Sequence, residues 1–268
     1  MTDQTSDDLT RLDAAHAGMQ ADLEDDAARL RFYERLADGE LFLLLTREAD
    51  GDSLDPELFE LEGDRFVLVF DREDRLTGFT ETASPYAALP GRVIAGMLAG
   101  QGIGLGVNLG VAPSSILIPA EAMGWLAETL GHGPEQVEAR ISEVTAPGAL
   151  PEGLLIGLDA KLATAGGLAR CACLVGVTYE DGRRGHLLGF IDPVTGAEPA
   201  LAGAVSEALT FSGIEAGQLD VGFFASADKA GESLMRHGLR YDLPEPAAQA
   251  PSAPQPPGMD PGKPPILK

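Results

Sequence analysis

From Val93 to Ala120 the chain carries no charged side chain, and that stretch limits the fold more than any other part of the sequence. It is long enough to span a bilayer, but Gly96, Gly100, Gly102, Gly104, Gly106 and Gly110 lie within it, followed by Pro113. Each glycine costs a helix about 1 kcal/mol and the proline about 3. The flanks, Arg92 and Glu121, offer only a single positive charge to set an orientation. The run therefore reads as buried core of a soluble α/β domain. The charge around it is strongly one-sided, with 42 acidic residues against 19 basic ones and a formal charge of −23. Such a field repels phosphate backbones and anionic headgroups. Neither nucleic acid nor a membrane surface is expected as a partner; a basic protein partner fits the charge.

Within the run the glycines fall into a two-residue rhythm. Gly102, Gly104 and Gly106 alternate with Ile103, Leu105 and Val107, which predicts a strand with one apolar face and one almost bare face. A bare strand face admits close packing of another element or of a ligand. Gly102, Gly104, Gly106 and Asn108 are accordingly the candidate ligand or packing face, with tight helix-on-sheet packing as the competing use of the same glycines. A dinucleotide fingerprint beginning at Gly104 would need a third glycine at 109, where Leu109 stands, and it would have to follow a strand.

At 268 residues and 44% apolar content, the chain accommodates two ordinary domains. Residues 1–21 read as a flexible acidic lead-in, frayed or at most weakly helical. A first α/β domain, a mixed sheet with packed helices, is expected over 22–133. It begins with a helix from Leu23 to Asp38 and a strand from Glu40. Strands 66–70 and 76–80 form an antiparallel pair turned by Asp71 to Arg75. A helix over 86–99 follows, with Pro90 in its first turn and Leu89, Val93, Met97 and Leu98 facing the core. The glycine strand, a strand over 116–118 and a helix from Pro119 to Gly131 complete the unit. Over 134–243 the expected order is β-α-β-β-α-β, a ferredoxin-like sandwich with an extra helix. Its first strand alternates Val137, Ala139 and Ile141, and its hairpin turns at Asp181 and Gly182. Residues 244–268 are rich in proline and read as an extended, disordered tail.

No catalytic or cofactor motif emerges. The Gly-Lys pair 262–263 is followed by Pro264, so it is no phosphate loop, and neither a nucleophile elbow nor H-E-x-x-H occurs. Asp50 and Asp52 begin a calcium-loop pattern that Leu54 and Asp55 break. Cys171 and Cys173, the only cysteines, are neither a zinc site nor a C-x-x-C redox pair, and they read as buried small hydrophobes. The four histidines, 16, 132, 186 and 237, read as surface residues. The start MTDQTSDDLT has acidic residues where a signal peptide needs a basic segment, so a cytoplasmic location is expected.

In order, FYERLADGELFLLL, FVLVFDREDRLTGFT, YAALPGRVIAGMLAGQGIGLGVNLG and SSILIPAEAMGWLAETL resemble the SseB amino-terminal domain. PEGLLIGLDAKLATAGGLARCACLVGV and LDVGFFASADKAGESLMRHG resemble the carboxy-terminal domain found with it. The resemblance spans roughly residues 25 to 243 and rests on element order and apolar pattern. It implies an intracellular bacterial protein of a family named for a serine-sensitivity phenotype, with no agreed activity and no active-site residues to transfer. The rhodanese activity of a sister protein does not carry over, because Cys171 is not in a loop before a helix. A non-catalytic interaction or regulatory protein is the expectation, without cofactor or metal. The alternative is a small-molecule binding protein or cryptic enzyme using the glycine-rich region 100–110.

Overall fold

The computed structural model describes residues 9–48, 54–61, 63–131, 140–213 and 219–243. They form an α/β architecture with two mixed sheets and helices packed on them. The first sheet contains β1 (Glu40–Leu44), β2 (Leu58–Leu61), β3 (Asp64–Phe70), β4 (Tyr86–Pro90), β5 (Ile103–Val107) and β6 (Ile116–Ile118). Its order is β4-β1-β3-β5-β6, with β2 paired to β3. β3 and β5 run parallel, and the other pairs are antiparallel. One face, with Leu41, Leu43, Val67, Val69, Leu105 and Val107, shares a core with helices α1 (Arg11–Ala21), α2 (Asp26–Asp38), α4 (Gly91–Leu98) and α5 (Ala120–Gly131). The other face sets Leu44, Leu68 and Phe70 against Leu76 of α3 (Glu73–Thr80).

Three expectations for this half are corrected. Residues 11–21 are not a flexible lead-in but a helix. Thr10 caps it, accepting a bond from the Asp13 amide while the Asp13 carboxylate accepts one from the Thr10 amide. The buried face of α1 includes Asp13 and His16 beside Leu12 and Met19, so an apolar pattern does not mark it. Residues 76–80 are not a strand paired with 66–70. The charged residues Glu73 and Asp74 form the first turn of α3, where the helix dipole favours them, and the flanks of β3 are taken by β1, β2 and β5. Residues 86–90 are not helical: β4 pairs with β1 along five residues, and α4 starts only at Gly91. A Cβ at Gly91 would collide with the Leu36 carbonyl oxygen, so α4 docks on α2 through a position that only glycine fills. That start leaves Ile94, Ala95 and Leu98 buried while Val93 and Met97 are exposed.

The second sheet contains β7 (Ile141–Thr145), β8 (Cys171–Tyr179), β9 (Arg184–Ile191), β10 (Leu219–Phe224) and β11 (Leu239–Asp242). Helices α6 (Glu152–Leu162) and α7 (Glu198–Phe211) cover the face with Leu174, Leu188 and Phe190. Helix α8 (Lys229–His237) places Leu234 on the opposite face, among Cys171, Cys173 and Val175. The strand pairing differs from a ferredoxin-like unit, in which the first and third strands of the motif lie side by side. Here β7 pairs antiparallel with β8, and β9 pairs with β8 and, in parallel, with β10. β11 occupies the rest of the β8 edge used by β7. Phe211, at the end of α7, is buried in the core of the first sheet.

The uncharged run resolves into most of α4, β5 and β6. Among the described residues no helix is long and apolar enough to cross a membrane. Residues 1–8, Asp50 and Asp52, His132, the expected boundary near 133, Val137, Ala139 and the tail 244–268 lie outside the described residues.

Candidate functional site

The carboxyl ends of parallel strands are where α/β sheets place ligands, because loops diverge there and helix amino termini converge. In the first sheet that place is the end of β3 and β5, with Asp71 after β3 and Asn108 after β5. Asn108 is fully buried and holds φ at 49°, a left-handed conformation that asparagine tolerates better than most residues. Its Oδ1 accepts from the Asp71 amide at 3.1 Å, and its Nδ2 donates to Ser114 Oγ at 2.8 Å. Ser114 Oγ donates in turn to Asp13 Oδ1 at 2.5 Å.

Asp13 is the centre of this group. Arg75 donates to both of its oxygens, at 3.1 and 2.5 Å, and the Thr10 and Ser114 amides donate at 2.9 and 3.2 Å. Arg75 also donates to Asp71 at 2.8 Å, and the Thr10 hydroxyl to the other Asp71 oxygen at 2.6 Å. Burial pushes the Asp13 carboxyl up, but the Arg75 guanidinium, the Ser114 hydroxyl and the Thr10 amide together hold it well below the usual carboxylate range. With both oxygens engaged, the carboxylate is a fixed anion rather than a base awaiting a proton. Beside the cluster a cavity of about 270 Å³ opens, lined by Arg72, Asp74, Arg75, Gly78, Val111 and Pro113. The Arg72 guanidinium binds the Asp74 carboxylate through two bonds, at 3.0 and 2.7 Å.

The glycine positions fare differently from Asn108. A Cβ on Gly104 would lie 2.5 Å from the Ile118 carbonyl oxygen and 2.6 Å from the Phe66 ring; one on Gly106 would lie 2.5 Å from the Leu68 side chain and 2.9 Å from that of Leu109. Their bare face is thus filled by neighbouring protein. Gly102, with φ at 64°, has open space around its Cβ position. Asp13, Arg75 and Ser114 come from distant segments and were not singled out in the sequence. The one local signal was the T-x-x-D capping pattern of Thr10 and Asp13.

A second group of charges joins the two sheet regions. Lys161 of α6, only 4% exposed, lies 2.6 Å from Asp38 of α2 and 2.8 Å from Glu207 of α7, with Glu34 at 3.9 Å. Arg92 of α4 bonds the same Asp38 and Glu207. Burial pushes the Glu34 carboxyl up against the opposing pull of Lys161 and Arg35.

Cys171 and Cys173 are fully buried, and burial, with Cys171 beside it, pushes the Cys173 thiol up to about 11, which suppresses the nucleophilic thiolate. His16 is not at the surface as expected: it is 7% exposed, its ring edge-on to Phe32. Burial lowers its pKa, against the pull of the Asp13 charge and the Pro113 carbonyl. His186 is half-buried and His237 exposed. Among the described residues no group of three or more histidines, cysteines and carboxylates is placed to hold a metal ion.

Residues 12–125 match the family model described as the SseB protein N-terminal domain. That stretch contains Asp13, Arg75, Asn108 and Ser114, and the second sheet lies beyond it. No curated protein and no solved structure matches the chain significantly.

Proposed function

We propose that this chain, with an SseB N-terminal domain over 12–125 and the companion carboxy-terminal domain in the rest of the fold, is a non-catalytic interaction or regulatory protein of the bacterial cytoplasm. The observation that carries this reading is the saturation of the Asp13 cluster. Where the fold would place reacting groups, the carboxylate, guanidinium, amide and hydroxyl bond one another. That arrangement rigidifies a surface and leaves no poised acid, base or nucleophile. The net charge of −23 favours a basic protein partner, steered by complementary charge.

Capture experiments with the full chain as bait, at physiological and at raised salt, test the proposal. The expected result is a specific basic partner whose retention falls as salt rises. A bait that retains nothing specific at physiological salt, or steady turnover of a substrate abolished by Asp13→Asn, sinks it. The cavity beside Arg72 and Val111 supports a second reading, a small-molecule site near the glycine-rich region 100–110. Thermal-shift screening against amino acids and nucleotides separates the two, since a ligand at 100 times its Kd stabilises by about 2.7 kcal/mol.

A further inference from the structure

On the second sheet, helices α6 and α7 cover the rows that carry Leu174, Leu188 and Phe190. Two rows further along, the same face changes chemistry. The strand register sets Thr145, Gly176 and His186 side by side across β7, β8 and β9, and Glu143, Thr178 and Arg184 in the next row. Together they line an open groove of about 660 Å³. Gly176 is bare by necessity, since a Cβ there would lie 2.7 Å from Thr145 Oγ1 and 3.1 Å from the Ala146 carbonyl oxygen. Thr145 spends its hydroxyl on the Gly176 carbonyl.

The remaining donors on this face are unspent. Neither the Arg184 guanidinium, nor the His186 ring, nor the Thr178 hydroxyl has a hydrogen-bond or ion-pair partner among the described residues. The residue just before β9 shows the contrast: Arg183 is held by Asp181 at 2.7 Å and lies over the Tyr179 ring. Among the described residues Arg184 thus keeps its charge free of a carboxylate, one strand from Thr178 and two positions from His186 on the same face. Successive same-face positions on a strand lie about 6.6 Å apart and neighbouring strands about 4.8 Å. Arg184, His186 and Thr178 therefore surround a space the size of one oxyanion. A guanidinium recognises such a group with two parallel bonds. Glu143, two strands from Arg184, adds an acceptor at the rim and a negative charge that opposes long polyanions.

We propose that this face of β7, β8 and β9 binds a small molecule through an oxyanion, a phosphate or a carboxylate held by Arg184, His186 and Thr178, with Glu143 accepting from a donor elsewhere on the ligand. The site is on the other sheet from Asp13 and stands independently of the proposed function.

The test uses the full chain, with inorganic phosphate and citrate as probes and sodium chloride at matched ionic strength as the control. The ring resonances of His186 are followed by NMR. At millimolar concentrations one probe should shift them saturably while chloride does not; the responding probe tells phosphate from carboxylate. Arg184 is exposed, so Arg184→Gln should leave the Tm unchanged and weaken binding about tenfold or more, as loss of a charged bidentate contact does. His186→Gln, read by calorimetry, should weaken it less. Absence of a saturable shift with either probe, or equal binding by Arg184→Gln, overturns the proposal.

Discussion

Asp13 and Lys161 are both ion-paired and almost without solvent contact, at 1% and 4% exposure, but they keep opposite company. Around Asp13 the arginine, hydroxyl, amides and second carboxylate satisfy one another within one sheet region. At the seam, Lys161 and Arg92 face three carboxylates, Glu34, Asp38 and Glu207, drawn from helices of both regions. The first arrangement has one complete solution and should behave as rigid structure. Both groups hold one carboxylate more than cations, but at the seam Glu34 only approaches Lys161, at 3.9 Å, and burial raises its pKa, so the stability of the second should depend on protonation. Buried charge therefore does two jobs in this chain: it locks the loops at the ends of β3 and β5, and it couples α2 to α6 and α7.

The largest effect should come from breaking the complete cluster. Asp13→Ala leaves Arg75 buried without its main partner and should cost about 3–5 kcal/mol in urea unfolding. A loss below about 1 kcal/mol would show the cluster to be ornamental. Lys161→Met should cost less, about 1–3 kcal/mol, because Arg92 still binds Asp38 and Glu207. Its hydrogen exchange should quicken in α2 and α7 and stay slow in β3 and β5; uniform quickening would mean that the seam is not a separate unit.

The pH dependence sharpens the comparison, because the two groups titrate with opposite signs. The contribution of Asp13, whose carboxyl is depressed, is complete above the ordinary carboxylate value near ~4 and is lost as the pH falls through its folded value. That of Glu34, whose carboxyl is raised, is complete below ~4.3 and is lost as the pH rises through its folded value. Glu34→Gln should therefore stabilise the protein at neutral pH; destabilisation there would refute the charge excess at the seam. The depressed imidazole of His16 adds a loss as the pH falls below ~6.5, which His16→Gln should remove from a stability profile. Smallest of all, Arg240→Gln, which breaks an exposed pair with Asp242, should change stability by less than about 0.5 kcal/mol.

Much of the second half was legible. The expected turn at Asp181 and Gly182, with Gly182 at φ 85°, joins β8 to β9. The first half was harder, for a local reason in each case. The threonines and phenylalanine of Leu76 to Thr80 favour strands in isolation, yet β3 already has its neighbours. Pro90 looks like a helix start, but Tyr86–Pro90 is an edge strand, where proline is tolerated. In α1 the buried stripe is half polar, so the T-x-x-D cap is its one local signal. Of the candidate site, Asn108 was within reach because it continued the glycine rhythm; Asp13, Arg75 and Ser114 were not, because they meet only when three segments fold together.

The sequence by itself determined the α/β class, most element positions and the charge of −23, because periodicity and composition act locally or by simple sum. Strand order, the filling of the bare glycine face and the partners of Asp13 and Lys161 were decided only by the tertiary structure. These depend on which distant segments share a surface, and no pattern along a single strand or helix encodes that.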